Sequence, residues 1–381
     1  MKKPILVIGI LVFGLTILAQ EIQHETIAIN IEVPVRIFTK GKFVEELSIK
    51  DFEVYEDGVL QKIEAVYLIK KTNIEREDLK INKEKARKIF SPQLSRQFVL
   101  IFEIRDFLPK VEEAIRYFFE EVIVPGDKLI VTTPNKSYNF KEDSWRVLSR
   151  TDMAKKLIGK LRSDAKIRPL DWIDLASYTE EAEGVITGTV ESYMGRKYID
   201  EKRLIDTAEY LKKLPGQKNV FLFLQQELSD FPVLPLEVSS VAGIWASLDY
   251  LSYMSMVVSY NYVDPKKIKK AFSDSSILFN FIYLKDESYW KNNSGSILDT
   301  FDTTNGMFST FKELSNVTGG VTQTTANADA SFKNAVYASE NYYLLYYAPK
   351  NYKADGEFKK IKVKVKGQNY RITHRAGYIA D

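Results

Sequence analysis

The sequence predicts an α/β protein in which a mostly parallel sheet, covered on both faces, is joined to a small β unit. Three observations predict it. Short continuous apolar runs, "FVLIF", "KLIVTT", "NVFLFL" and "ILFNFIYL", have the character of strands buried on both sides. Between them lie segments with apolar residues at helical spacing, such as Leu204, Ala208 and Leu211 in "EKRLIDTAEYLKKL". Towards both ends of the chain the pattern changes to a period of two, as in Ile27, Ile29, Ile31 and Val33 of "IAINIEVPVRIF".

The elements follow in order. The first residues, "MKKPILVIGILVFGLTILAQ", carry two lysines, an apolar run from Pro4 to Leu18, and a small residue, Ala19, before a polar stretch. The run is shorter than the ~20 residues that span a bilayer comfortably, so residues 1–19 read as a secretory signal peptide and the protein as secreted or periplasmic. An uncleaved anchor is the competing reading, because Ile17 is larger than the small residue a cleavage site wants at that position. Residues 21–71 read as a β segment, with the Asp57-Gly58 dipeptide suiting a hairpin turn. Residues 72–94 are charged with few large apolars and read as a linker with some helical tendency.

From Phe98 onwards, strands alternate with the helical segments "KVEEAIRYFFEEVI", "DMAKKLIGKLRS" and "EKRLIDTAEYLKKL", the last stopped by Pro215 and Gly216. "STFKELSNVTGG" and "ADASFKNAVYASENY" read as two further helices, and the closing residues return to strands in "YYLLYYAP", "FKKIKVKVK" and "YRITHRAGY". Residues 239–262, "SSVAGIWASLDYLSYMSMVVSYNY", break the alternation and hold a single charge, Asp249. Val241, Ile244, Trp245, Leu248 and Leu251 fit a helix packed on the core. The competing reading is an exposed aromatic surface for a protein partner, with Trp245, Tyr250 and Tyr253 as contacts. A membrane segment is disfavoured by Asp249 and the many hydroxyls.

With 381 residues, the chain is long for one domain. Its 54 basic against 51 acidic residues give no reason to expect nucleic-acid binding. Membrane contact is expected only through an uncleaved leader. The absence of cysteine excludes disulfides, thiol catalysis, thiolate metal sites and a lipid anchor on cysteine.

Taken together, several blocks resemble the von Willebrand factor A-related domain family of exported bacterial proteins, the acidobacterial type. They are the hairpin pattern D-F-x-V-x-E-D-G-x-x-Q-x-I from Asp51 to Ile63, then "NVTGG", "YYLLYYAP", "DGEFKKIKVKV" and the final "RAGY". The resemblance covers nearly all of the chain after the leader. It implies a von Willebrand A-like, doubly wound, mostly parallel sheet over residues 95–341. Residues 342–381 are expected to pair with residues 21–71 in one small β domain, since each segment is too short to bury a core alone.

In that family the end of the first strand carries a metal-ion-dependent adhesion site, Asp-x-Ser-x-Ser, whose carboxylate and hydroxyls offer hard oxygen ligands. The matching positions here are Glu103, Arg105 and Phe107, and the aspartate expected after "NVFLFL" is replaced by Gln225 or Gln226. Thr187 and Thr189 are possible counterparts of the family's threonine. The resemblance therefore implies a degenerate site that binds no metal and no cofactor. Glu103 and Arg105 are expected to form an internal ion pair; Arg105 and Asp106 contacting a ligand without metal, and a working metal site, are the alternatives.

Enzymatic chemistry is poorly supplied. His24 and His374 are the only histidines, one towards each end, so no histidine-rich cluster and no convincing Ser/His/Asp arrangement is available. Glu180, Glu181 and Glu183 read as a solvated loop, and "VTGGVT" lacks the spacing and lysine of a phosphate loop. Lys360, Lys362, Lys364 and Lys366 alternate with apolar residues and read as a solvent face protecting a sheet edge, with contact to an anionic cell surface as the alternative. The expected function is that of an exported, non-enzymatic protein-protein interaction or scaffolding protein. The alternative is an enzyme-accessory or hydrolytic role using acidic residues at the top of the sheet.

Overall fold

Alternating apolar residues build the first sheet. Strand β1 (Ile31–Thr39) turns Ile31, Val33, Val35 and Ile37 to one buried face. It folds back through Lys40 and Gly41, both at positive φ, into β2 (Lys42–Phe43). A 3-10 turn at Ile49–Asp51 is capped by the Asp51 carboxylate, which accepts from the Ser48 N–H and hydroxyl at 2.8 Å each. Strand β3 (Phe52–Glu56) then pairs with β4 (Val59–Gln61) across Asp57 and Gly58, whose φ of 47° and 84° suit a tight hairpin turn. After Lys62 the chain crosses to the first sheet as β5 (Ile63–Lys70), which pairs with β6 (Asn73–Leu79), and helix α1 (Lys83–Ile89) follows. In the computed structural model, residues 29–104, 107–134, 136–140, 147–165, 199–226, 228–232, 263–273, 277–285, 298–302, 305–367 and 369–380 are described.

The middle of the chain supplies β7 (Arg96–Glu103), α2 (Pro109–Tyr117) running on into a π-helical turn, β8 (Lys128–Thr132), β9 (Ser137–Phe140), α3 (Arg150–Ala165) and α4 (Glu201–Lys212). Then come β10 (Gln217–Gln225), β11 (Leu228–Pro232), α5 (Pro265–Ser273), β12 (Ile277–Leu284), β13 (Leu298–Asp302), α6 (Asn305–Thr318), β14 (Thr322–Thr325) and α7 (Ala328–Glu340). The closing strands are β15 (Asn341–Tyr347), β16 (Phe358–Val365), β17 (Arg371–His374) and β18 (Gly377–Ile379).

Four sheets result: β17-β1-β15-β5-β6 with β2 beside β1; β14-β12-β10-β7-β8-β9; β18-β16-β3-β4; and the ribbon β11-β13. Every residue of β7 and β12 is buried, as strands covered on both faces require. One face packs against α2, α3 and α7, where Phe332 meets Phe221 and Phe223. The other packs against α4, α5 and α6, where Phe279 stacks on Phe311. The first sheet buries Val33, Val35 and Tyr347 against Val54, Ile361 and Val363 of the third. Its opposite face carries Tyr67, Tyr342 and Tyr346 against Ala86 of α1 and Phe90.

Two buried charges tie these layers together. Arg96, 1% exposed, donates to Asp127 Oδ1 at 3.0 Å and Oδ2 at 2.6 Å, to the Val122 carbonyl at 2.8 Å and to Glu340 Oε1 at 3.1 Å. Glu56 accepts from the hydroxyls of Tyr347 at 2.6 Å and Tyr378 at 3.0 Å, joining the first sheet to the third. Burial, followed by that carboxylate, pushes both phenols above their ordinary range.

These pairings correct the expected fold class. Ten of the fourteen strand pairings among the described residues are antiparallel, and the four parallel ones are confined to one sheet, whose outer strand β9 is itself antiparallel. The chain is a mixed α/β protein with mostly antiparallel sheets, not a doubly wound, mostly parallel one with a small appendage. The four central apolar runs are conspicuous because both their faces are buried. Polar outer strands such as β6, β9 and β14 leave no comparable mark.

The expected linker, residues 72–94, is corrected as well. It contains β6, which adds an edge to the first sheet, and α1, whose Ala86 is buried against that sheet. An edge strand tolerates the charges of "NIEREDL" because its side chains remain largely outside the core.

Candidate functional site

The parallel strands end together, and the sequence places its candidate residues there. Glu103 is the last residue of β7, and Leu224 of β10 is its partner in register, so Gln225 stands one position further along the neighbouring strand. Both are buried, at 7% and 8% exposure. Gln226 continues the line, its N–H donating to the Leu284 carbonyl at 2.8 Å. Glu103 and Gln225 together offer one carboxylate and one amide oxygen, whereas a hard divalent cation asks for about six oxygen ligands. Among the described residues, no group of three or more His, Asp or Glu side chains is arranged to hold a metal ion.

Phe107 lies four residues beyond the end of β7. Its ring packs against the hydrophobic core beneath α2 and α3, and the Arg162 guanidinium lies 5.3 Å from the ring centroid. Arg162 also pairs with Glu112, which accepts from Arg116 at 2.7 Å. The Arg116 hydrogen bond, with Arg162 beside it, holds the Glu112 carboxyl below the usual range. The cationic side chain here is thus engaged with an aromatic face and a carboxylate.

A polar cluster that the sequence did not reveal sits next to it. Asp164, buried at the end of α3, accepts from Tyr138 at 2.7 Å and Thr133 Oγ1 at 3.1 Å, and Lys136 Nζ lies 3.6 Å from its other oxygen. Burial and then the Asp164 carboxylate push the Tyr138 phenol up to about 12. Arg203 of α4 donates to the carbonyls of Thr133 at 2.6 Å and Lys136 at 2.9 Å and to Ser137 Oγ at 2.8 Å, clamping the turn between β8 and β9. No local pattern marks Asp164 as special, since its partners come from the other side of a β-turn. The cluster fixes a loop, and its phenol stays protonated at neutral pH.

Other candidates fall outside the described residues: Arg105, Asp106, Trp245, Tyr250 and Tyr253, the threonines Thr187 and Thr189, and the acids Glu180, Glu181 and Glu183. The expected ion pair of Glu103 with Arg105 is among them. His24 lies outside them too, whereas His374 has a clear structural part. Its Nε2 accepts from the Val363 N–H at 3.3 Å, so Nδ1 carries the proton and donates to the Arg375 carbonyl at 2.7 Å. Burial holds the imidazole below its ordinary value, and it stays neutral. The lysine-rich strand β16 is not an edge: β3 lies on one side and β18 on the other, with Lys360, Lys362 and Lys364 facing solvent.

No protein-family model and no curated protein matches the chain. Among solved structures, it is similar to the human COPII-coat protein Sec24c, with a TM-score of 0.31 and 8% identity, covering 89% of this chain and 48% of that one. The chain therefore spans less than half the length of that structure.

Proposed function

We propose that this is an exported, non-enzymatic protein that binds or scaffolds a protein partner without a metal ion. The observation that carries the reading is Phe107, docked on the core with Arg162 over its ring, where the family resembled by Asp51–Ile63 and "RAGY" places a hydroxyl ligand. A cation and an aromatic ring at this end work against a divalent ion and favour contact with a protein surface, where arginine and aromatic residues dominate binding energy. Trp245, Tyr250 and Tyr253 supply further aromatic contacts in this reading. No helix among the described residues is long and apolar enough to cross a membrane. Export rests on the leader sequence.

The test is capture of partners from the organism's own envelope fraction by the full-length protein, with magnesium and separately with a chelator. The same partner should be retained equally in both, and lost when Trp245 and Tyr250 are replaced together by alanine. Retention that needs the metal and disappears in Glu103→Ala would show a working cation site, and capture of nothing under either condition would end the scaffolding reading.

A further inference from the structure

We propose that the cavity between the end of α4 and strands β7, β8 and β9 is a binding site for a neutral saccharide, with the side-chain amides of Gln97 and Asn139 as its hydrogen-bonding groups and Tyr210 as its stacking face. The cavity measures about 360 Å³. That lies at the lower end of the ~300 to 1,000 Å³ of small-molecule sites and gives room for a small sugar. It opens at the amino-terminal end of β7, whereas Glu103 stands at the opposite end of the same strand.

Strand periodicity assembles the floor. Val99 and Ile101 of β7 pack towards α4, α5 and α6, so Gln97, two positions before Val99, lies on that same face of the sheet. Ile130 of β8 packs on this side too, with Lys128 two positions before it, and Asn139 of β9 is the register partner of Ile130. Gln97 and Lys128 are themselves partners across β7 and β8. The wall comes from α4, where Tyr210 lies in the last turn and Leu214 follows the end of the helix. The sheet thus brings two amides and one ammonium to the cavity, and the helix brings an aromatic ring and an aliphatic side chain.

The two amides are unused. Gln97 is 4% exposed, yet among the described residues its side chain has no hydrogen-bond partner, and the same holds for Asn139 at the exposed end of the floor. A buried amide left without partners is costly, and native structures leave few of them. The charges, by contrast, are answered. The Asp127 carboxylate, which also borders the cavity, accepts from Arg96 at 3.0 and 2.6 Å and from the Val124 N–H at 2.8 Å. Lys128 stands at the solvent rim, on the same cavity as the C-terminal end of α4, whose partial negative charge suits a cation.

These groups select the ligand. A side-chain amide both donates and accepts, and so does a hydroxyl, so two free amides match a ligand that carries several adjacent hydroxyls. Tyr210 is 49% exposed, and with Ile130 and Leu214 it offers an apolar surface to the C–H face of a sugar ring. An extended peptide is also rich in donors and acceptors, but sheets bind it through free main-chain groups at an edge. Here the floor is the face of the sheet, and the main chains of β7 and β8 are paired on both sides.

Calorimetric titration of the full-length protein with glucose, N-acetylglucosamine, cellobiose and chitobiose, and with a capped trialanine peptide as control, tests this. At least one sugar should bind saturably, at least tenfold more weakly in Tyr210→Ala and in Gln97→Met, and the peptide should not bind. Absence of saturable binding by every sugar would leave the cavity to water and overturn the site. Peptide binding as tight as that of the best sugar, or a sugar affinity unchanged in Tyr210→Ala, would overturn it equally. If Gln97→Met does not fold, Asn139→Ala at the exposed end decides: an unchanged sugar affinity in it would overturn the assignment.

Discussion

Arg96 and Arg36 are both buried guanidiniums, and only one strand separates their neighbourhoods: Arg96 pairs in register with Gln217, the residue before Lys218, which borders the same cavity as Arg36. Arg96 meets two carboxylates and a carbonyl and has a hydrogen bond from each of its three nitrogens. Arg36 meets the face of a tyrosine and leaves Nε unused. Desolvating a cation costs several kcal/mol, and the cost is offset only where hydrogen-bonding partners replace water. The fold supplies those partners internally at Arg96, which makes that residue a fastener between β7 and α7. At Arg36 it supplies an aromatic face instead. His374 is a third case, a nearby basic group that burial keeps uncharged.

The largest effect should come from the paired arginine. Arg96→Ala leaves Asp127 and Glu340 buried without their cation and should lower the unfolding free energy by about 3 to 5 kcal/mol, measured by denaturant titration. Arg36→Met should stay within about 1 kcal/mol of the parent protein, because an apolar side chain of similar length replaces a buried cation whose Nε has no hydrogen bond. A loss as large as that of Arg96→Ala would make Arg36 structural and erase the contrast.

The smallest effect concerns His374. Its folded pKa lies below the ordinary 6.5, so its contribution to stability is complete above that value and is lost as pH falls through the lower folded one. The thermal midpoint should therefore decline on acidification below about 6.5, less steeply in His374→Gln. Identical slopes would show that the imidazole does not titrate between the two states.

What was legible beforehand follows the same logic of burial. Phe98–Phe102 and Ile277–Leu284 read as strands because both faces are apolar, and Asp57-Gly58 marks its turn because few dipeptides accept two positive φ angles. Asn73–Leu79 and Thr322–Thr325 were missed because polar edge strands owe their conformation to a neighbour's hydrogen bonds. Helix α5, "PKKIKKAFS", was missed because four lysines hide the buried Ile268, Ala271 and Phe272. At the candidate site, the guanidinium over Phe107 comes from a helical residue more than fifty positions further on, which no local pattern reveals. Gln97, Lys128 and Asn139 are ordinary residues in three separate strands, and only the topology makes them neighbours.

Strand β1 has its two long partners, β15 and β17, in the last part of the chain, with Glu32 and Tyr346 hydrogen-bonded across 314 positions. A ribosome must therefore have synthesised residues 341–374 before the first sheet can close. Until then the early strands carry open edges and an uncovered apolar face, the condition in which chains are held by chaperones or threaded through a translocation pore. Loss of β15 or β17 would accordingly be felt first at β1, some three hundred positions earlier in the chain.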